Sequence, residues 1–161
     1  MGAVPSLRPP SLSERYGIIR TYIIPPFVRF GSKVVPSQIL QRTGTPSWVR
    51  EYYPHIDAYI SPTKSLKLLQ DNVRLRSIGY DRHHIIEKTQ ATREGFPRSM
   101  VEGRDNIVLI PRFKHWEVTG WFAARNKQYG GLSPREYLQG KSWEEKNKIG
   151  LDALREFGVL Q

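Results

Sequence analysis

Cysteine does not occur among the 161 residues. Disulfides, thiolate zinc sites and cysteine nucleophiles are therefore excluded, and any metal must be held by imidazole, carboxylate, amide or hydroxyl groups. Long apolar runs are also missing. Stretches such as "YII" and "IVLI" are far short of a bilayer span, and the opening "MGAVPSLRPPSLSERYG" has no signal-peptide core, so a soluble chain without membrane insertion is expected. Acidic residues are comparatively scarce, with 15 Asp and Glu against 25 Lys and Arg, for a net charge of +10. Such a field draws in polyanions, which makes nucleic acid the first partner class to consider. The plainer alternative is a basic, soluble surface. With 39% hydrophobic and 11% aromatic residues the chain can build a core, so a folded domain is expected over full disorder.

Residues 1–15 read as a flexible Pro/Ser-rich arm, residues 16–79 as an accessory region of strands followed by helices, and residues 80–161 as the main folded unit. "YGIIRTYII", ended by Pro25-Pro26, and "FVRFGSKVV" are strand candidates that could pair as an N-terminal β-hairpin. A short helix is expected with Thr45 as cap and Pro46 in its first turn, running through "SWVREYY" up to Pro54. A clearer one is expected from the cap Ser61, with Pro62 in the first turn, Leu66, Leu69 and Val73 at helical spacing and Gly79 as the stop. Its Lys64, Lys67, Arg74 and Arg76 form either a solvated face or a phosphate-contacting one.

From position 80 the expected order is strand, loop, strand, helix. "YDRHHIIEK" is the first strand, polar residues 88–105 the loop, "NIVLIP" a buried strand, and "RFKHWEVTGWFAARNKQYGG" a helix ended by Gly130-Gly131. Two more helices have matching starts, since Ser133 and Glu136, like Ser142 and Glu145, stand at capping-box spacing. Leu151, Leu154 and Phe157 then give the last helix an apolar face.

Only four histidines are present, and two, His83 and His84, are adjacent. Neighbours on a strand point to opposite faces, so both can serve one centre only where the strand ends or bends. Phosphodiester hydrolysis needs a base for the attacking water and a cation for the phosphate and leaving oxygen, roles that His83, His84 and His115 could fill. On their own, His115 with Trp116 and Trp121 could equally be core residues of an amphipathic helix, and His55 in "YYPHIDAY" an ordinary surface or half-buried side chain.

The ordered set "HHII", a long loop, "DNIVLIP" and a helix opening with "FKHWEV" resembles the HNH, or His-Me finger, nuclease superfamily over about residues 80–127. The resemblance implies an α+β protein with a ββα-metal core and flanking α-helices. It implies His84 as general base, Asn106 as the residue that bonds loop backbone and holds the base, and His83 and His115 as ligands of one divalent ion, whether Mg, Mn, Zn or Ni. Where colicin-type members place another histidine one turn later, this chain has Thr119, so water and phosphate would complete the coordination. Glu87 could bind metal or support a histidine. Arg93, Arg98 and Arg104 on the loop, with Arg125 and Lys127 at the end of the His115 helix, are the candidate phosphate contacts. The tail "YGGLSPREYLQGKSWEEKNKIGLDALREFGVL" is similar to those that follow HNH-like modules of bacterial polymorphic toxins. That likeness implies cytoplasmic action or delivery within a larger toxin, and an acidic immunity protein as partner.

The leading expectation is a metal-dependent endonuclease, with DNA favoured over RNA as substrate. The second is a non-catalytic, basic nucleic-acid-binding module whose histidines are structural. The third is an interaction domain of a larger secreted or phage protein.

Overall fold

The computed structural model describes residues 47–161 together with Ser11, Glu14, Arg15 and Gly17. The expected hairpin strands and the Thr45-Pro46 helix start lie outside these residues, apart from Gly17, which is helical. Helix α1 (Tyr53–Ile60) follows a 3-10 segment, and α2 is Leu66–Asp71. Strand β1 (Tyr80–His84) leads through α3 (Lys88–Arg93) and α4 (Arg98–Val101) to β2 (Ile107–Pro111). Then come α5 (Arg112–Ala123), the single turn α6 (Pro134–Tyr137) and α7 (Trp143–Glu156). The chain is an α+β protein.

β1 and β2 form a two-stranded antiparallel sheet in which Tyr80 faces Pro111 and His84 faces Ile107. β2 is an apolar run because both its faces are covered, and Val108 and Ile110 are fully buried. They join Ile85, Val118, Phe122 and Leu154 in the main core, to which Leu69 of α2 also belongs. The sheet enters through Gly79, whose backbone sits at φ +91° against α1. A Cβ there would meet the Pro54 carbonyl oxygen at 2.3 Å.

α7 crosses directly behind the histidine pair. Gly150 allows this approach, since a Cβ on it would lie 2.3 Å from the Ile85 carbonyl oxygen and 2.7 Å from the Ile85 side chain. Ala for Gly inside an open helix normally stabilises by about 1 kcal/mol, but forcing a methyl into backbone costs roughly 1–3 kcal/mol. Gly150→Ala is therefore expected to lower the thermal midpoint. A raised midpoint would mean that α7 can back away from Ile85.

The structure departs from the sequence expectations at several element ends. Residues 88–105 are not one open loop. Ile86, Ala91 and Val101, with Phe96 and Trp143 against them, make a small second core that supports the short helices α3 and α4. Pro54 opens α1 instead of ending a helix, and Ser61 closes α1 while Ser65 caps α2, its hydroxyl accepting from the Leu68 N–H. The second helix stops at Asp71, and Gly79 serves the entry to β1. The His115 helix ends at Ala123, because Ala124 turns extended and Asn126 caps a separate 3-10 turn, Lys127–Tyr129. The Ser133 capping box forms as read, and the Ser142 hydroxyl caps α7 by accepting from the Glu145 N–H.

Candidate active site

β1 stops at His84, after which the chain turns toward α3. His83, His84 and His115 line a single cleft of about 790 Å³ together with Thr119, Arg82, Glu87, Lys88, Arg93 and Arg135. His115 and Thr119 project from α5 one turn apart, while Phe113, Val118 and Phe122 of that helix go into the interior.

The rings of His83 and His115 meet edge to face with centroids 5.1 Å apart. His83 is buried, and its Nε2 has no hydrogen-bond partner among the described residues. Burial first, and the neighbouring His115 and His84 rings after it, push its pKa down to about 3, so the ring is neutral near pH 7. His115 Nδ1 lies 3.3 Å from Asp81 Oδ2, whose other oxygen accepts from Arg112 Nε at 2.9 Å. A carboxylate only accepts, so the contact places the His115 proton on Nδ1 and leaves the Nε2 lone pair uncommitted.

His84 is half-buried, and its Nε2 lies 3.2 Å from Glu102 Oε2. Lys88 forms an ion pair with the other oxygen of Glu102. The Lys88 ammonium, and next the His84 ring, hold the Glu102 carboxyl below the usual carboxylate range. By the same reasoning the proton of neutral His84 sits on Nε2, and Nδ1 is the nitrogen able to accept one.

Asn106, at the entry to β2, is 1% exposed. Its Oδ1 accepts from the Ile86 N–H at 2.8 Å, and its Nδ2 donates to the Val101 carbonyl at 2.9 Å and the Ile86 carbonyl at 3.2 Å. Its own carbonyl accepts from the Ile85 N–H at 2.9 Å. Asn106 thus ties both residues after His84, Ile85 through its main chain and Ile86 through its side chain, to the segment that ends at β2. Asn106→Ala would strand several buried backbone groups and is expected to cost about 2–4 kcal/mol of stability. Asn106→Asp should be worse than its size suggests, because a carboxylate oxygen would then face two carbonyl oxygens. Urea unfolding of the three proteins checks the order, and an Asp variant as stable as wild type would contradict it.

The remaining candidates divide. Arg93 lines the cleft and has no ion-pair partner among the described residues. Arg104 instead pairs with Asp71, and Arg98 is exposed on α4 outside the cleft lining. Arg125 and Lys127 lie just beyond the end of α5 and outside the cleft lining. Glu87 is held bidentately by Arg135, at 2.8 and 2.6 Å. His55 packs its ring on Phe113, with centroids 5.6 Å apart, and burial lowers its pKa.

Asp81, Glu102 and Arg135 were not singled out from sequence. Asp81 had a signal, since on a strand it shares a face with His83 two residues on. Glu102 had none, standing 18 residues from the ring it meets.

No group of three or more His, Asp or Glu side chains able to hold a metal is found among the described residues. The two imidazoles nevertheless suit one ion, with an orphaned buried nitrogen on His83 and, on His115, a nitrogen left open by a carboxylate on the far side of the ring. No described helix is long and apolar enough to cross a membrane. No protein-family model matches the chain, and comparison with curated proteins and with solved structures finds no match.

Proposed function

We propose that the chain is a metal-dependent endonuclease with a ββα-metal core, acting as the nuclease module of a toxin or effector. The observation that carries this reading is the partnerless, buried Nε2 of His83 beside His115, in the same cleft as His84 with its carboxylate partner. His83 and His115 would hold one divalent ion, which supplies positive charge to the phosphate and to the departing oxygen.

The chain's own residues account for the rest. His84 Nδ1 takes a proton from water, the water oxygen forms a bond to phosphorus, and the bond to the leaving oxygen breaks opposite it. Glu102 fixes the ring's tautomer and favours the imidazolium that forms, the part an orienting carboxylate plays beside a histidine base. Lys88 holds Glu102 in place. Asn106 sets the backbone that follows His84. The cleft lining has four cations, Arg82, Lys88, Arg93 and Arg135, and two carboxylates, Glu87 and Glu94, each of which has its own cation. Arg93, and Arg82 by the guanidinium nitrogens other than the Nε that donates to the Val73 carbonyl, are therefore left to meet substrate phosphates.

Incubating the purified protein with supercoiled DNA and with total RNA, with divalent ions or with chelator, tests the reading. Nicking of DNA that the chelator stops is expected. Salt-sensitive binding without cleavage of either would replace this reading with the non-catalytic binding module.

A further inference from the structure

On the edge of the sheet next to the cleft lies a second hollow of about 680 Å³, lined by Arg74, Leu75, Arg76, Ile78, Tyr80 and Arg82 among others. Arg82 borders both hollows, so the two form one continuous surface across β1. Arg74 and Arg76 are exposed, and neither has an ion-pair partner among the described residues. The only carboxylate in the lining, Asp81, is already engaged by Arg112 and His115. Between and beside these guanidinium groups stand two apolar side chains turned to solvent, Leu75 at 58% and Ile78 at 75% exposure. Neither belongs to a core cluster among the described residues.

Fixed positive charge beside exposed apolar surface, continuous with a cleft read as a phosphodiester site, fits a ligand with phosphates on one side and flat apolar faces on the other. Paired bases turn only their edges outward, whereas unpaired bases present their faces. We propose that this hollow is a second binding site that holds unpaired nucleotides flanking the cleavage position, with Arg74 and Arg76 on the phosphates and Leu75 and Ile78 against the bases. The proposal rests on the reading of the cleft as a nucleic-acid site, and it adds a preference for single-stranded or locally opened substrate.

The test is binding in chelator, so that no cleavage intervenes, of a labelled single strand of about 16 nucleotides, the upper end for one such site, and of a duplex of the same length. The double variant Arg74→Ala/Arg76→Ala should lower the slope of log affinity against log salt by about 1.4 for the single strand, two phosphates at about 0.7 each. Ile78→Ser should weaken single-strand binding with the slope unchanged. Both changes are at exposed positions, and melting curves should stay at wild type. Cleavage of a dinucleotide ester, too short to reach the hollow, should not change. An unchanged slope in the double variant would leave the hollow to some other occupant, such as an acidic protein, and overturns the proposal. An equal loss on duplex overturns the assignment to unpaired nucleotides. Wild type that binds as described but never cleaves counts against the nuclease reading alone.

Discussion

His84→Ala is expected to slow cleavage by about two to four orders of magnitude, the usual scale for removing a general base. Metal binding, nucleic-acid affinity and the melting curve should stay near wild type, because the half-exposed ring is not part of the core. The loss should fall on kcat and leave KM nearly unchanged, as for an interaction made only in the transition state. Glu102→Gln should give a smaller loss of the same kind. A glutamine oxygen can still accept from His84 Nε2 and so keep the tautomer, but it no longer favours the imidazolium by charge. Glu102→Ala removes both effects and should be the slower of the two. If His84→Ala cleaves as fast as wild type, the base has been misassigned, and Glu102 loses its role with it.

The second large effect is expected at His115. On the proposed ligand set His115→Ala removes one of two protein ligands, so affinity for a divalent ion should fall by more than the roughly 10–100-fold that follows loss of an outer hydrogen-bond partner. Asp81→Asn supplies that milder comparison, since Asp81 touches His115 and not the cleft's centre. His83→Ala should resemble His115→Ala in affinity, with cleavage partly restored by excess metal. Titration calorimetry on the four proteins gives the comparison. Unchanged binding in His115→Ala would remove that residue from the site.

What could be read from sequence, and what could not, follows from how far each determinant reaches along the chain. Caps are local. Ser133 with Glu136, and Ser142 with the Glu145 N–H, formed where their spacing placed them. The succession of a strand carrying His-His, an apolar strand and a helix carrying His115 was visible because each element has its own periodicity or composition, although the first strand stops at His84 and does not run on through Ile85 and Ile86. α3 and α4 were hidden because six and four residues are too few to show a helical period. Ala91 and Val101 are buried by contacts with Ile86, Phe96 and Trp143, some of them far along the chain. The early end of α5 was hidden for a different reason. Nothing in "AARN" forbids helix, and Asn126 diverts the chain by capping the next turn. At the site, the histidines and Asn106 stood out by residue type, while Glu102 meets His84, and Arg135 reaches the cleft, through tertiary packing alone.

The central claim is that one divalent ion, held by His83 and His115, is required for His84 to act. Metal-free protein titrated with a divalent ion, with the DNA-nicking rate measured at each addition, addresses it most directly. The rate should start at the chelator-treated baseline, climb in step with the first equivalent bound and then level off. His115→Ala should need far more ion to reach any comparable rate. Full nicking before any ion is added, or no nicking at any occupancy, would contradict the claim.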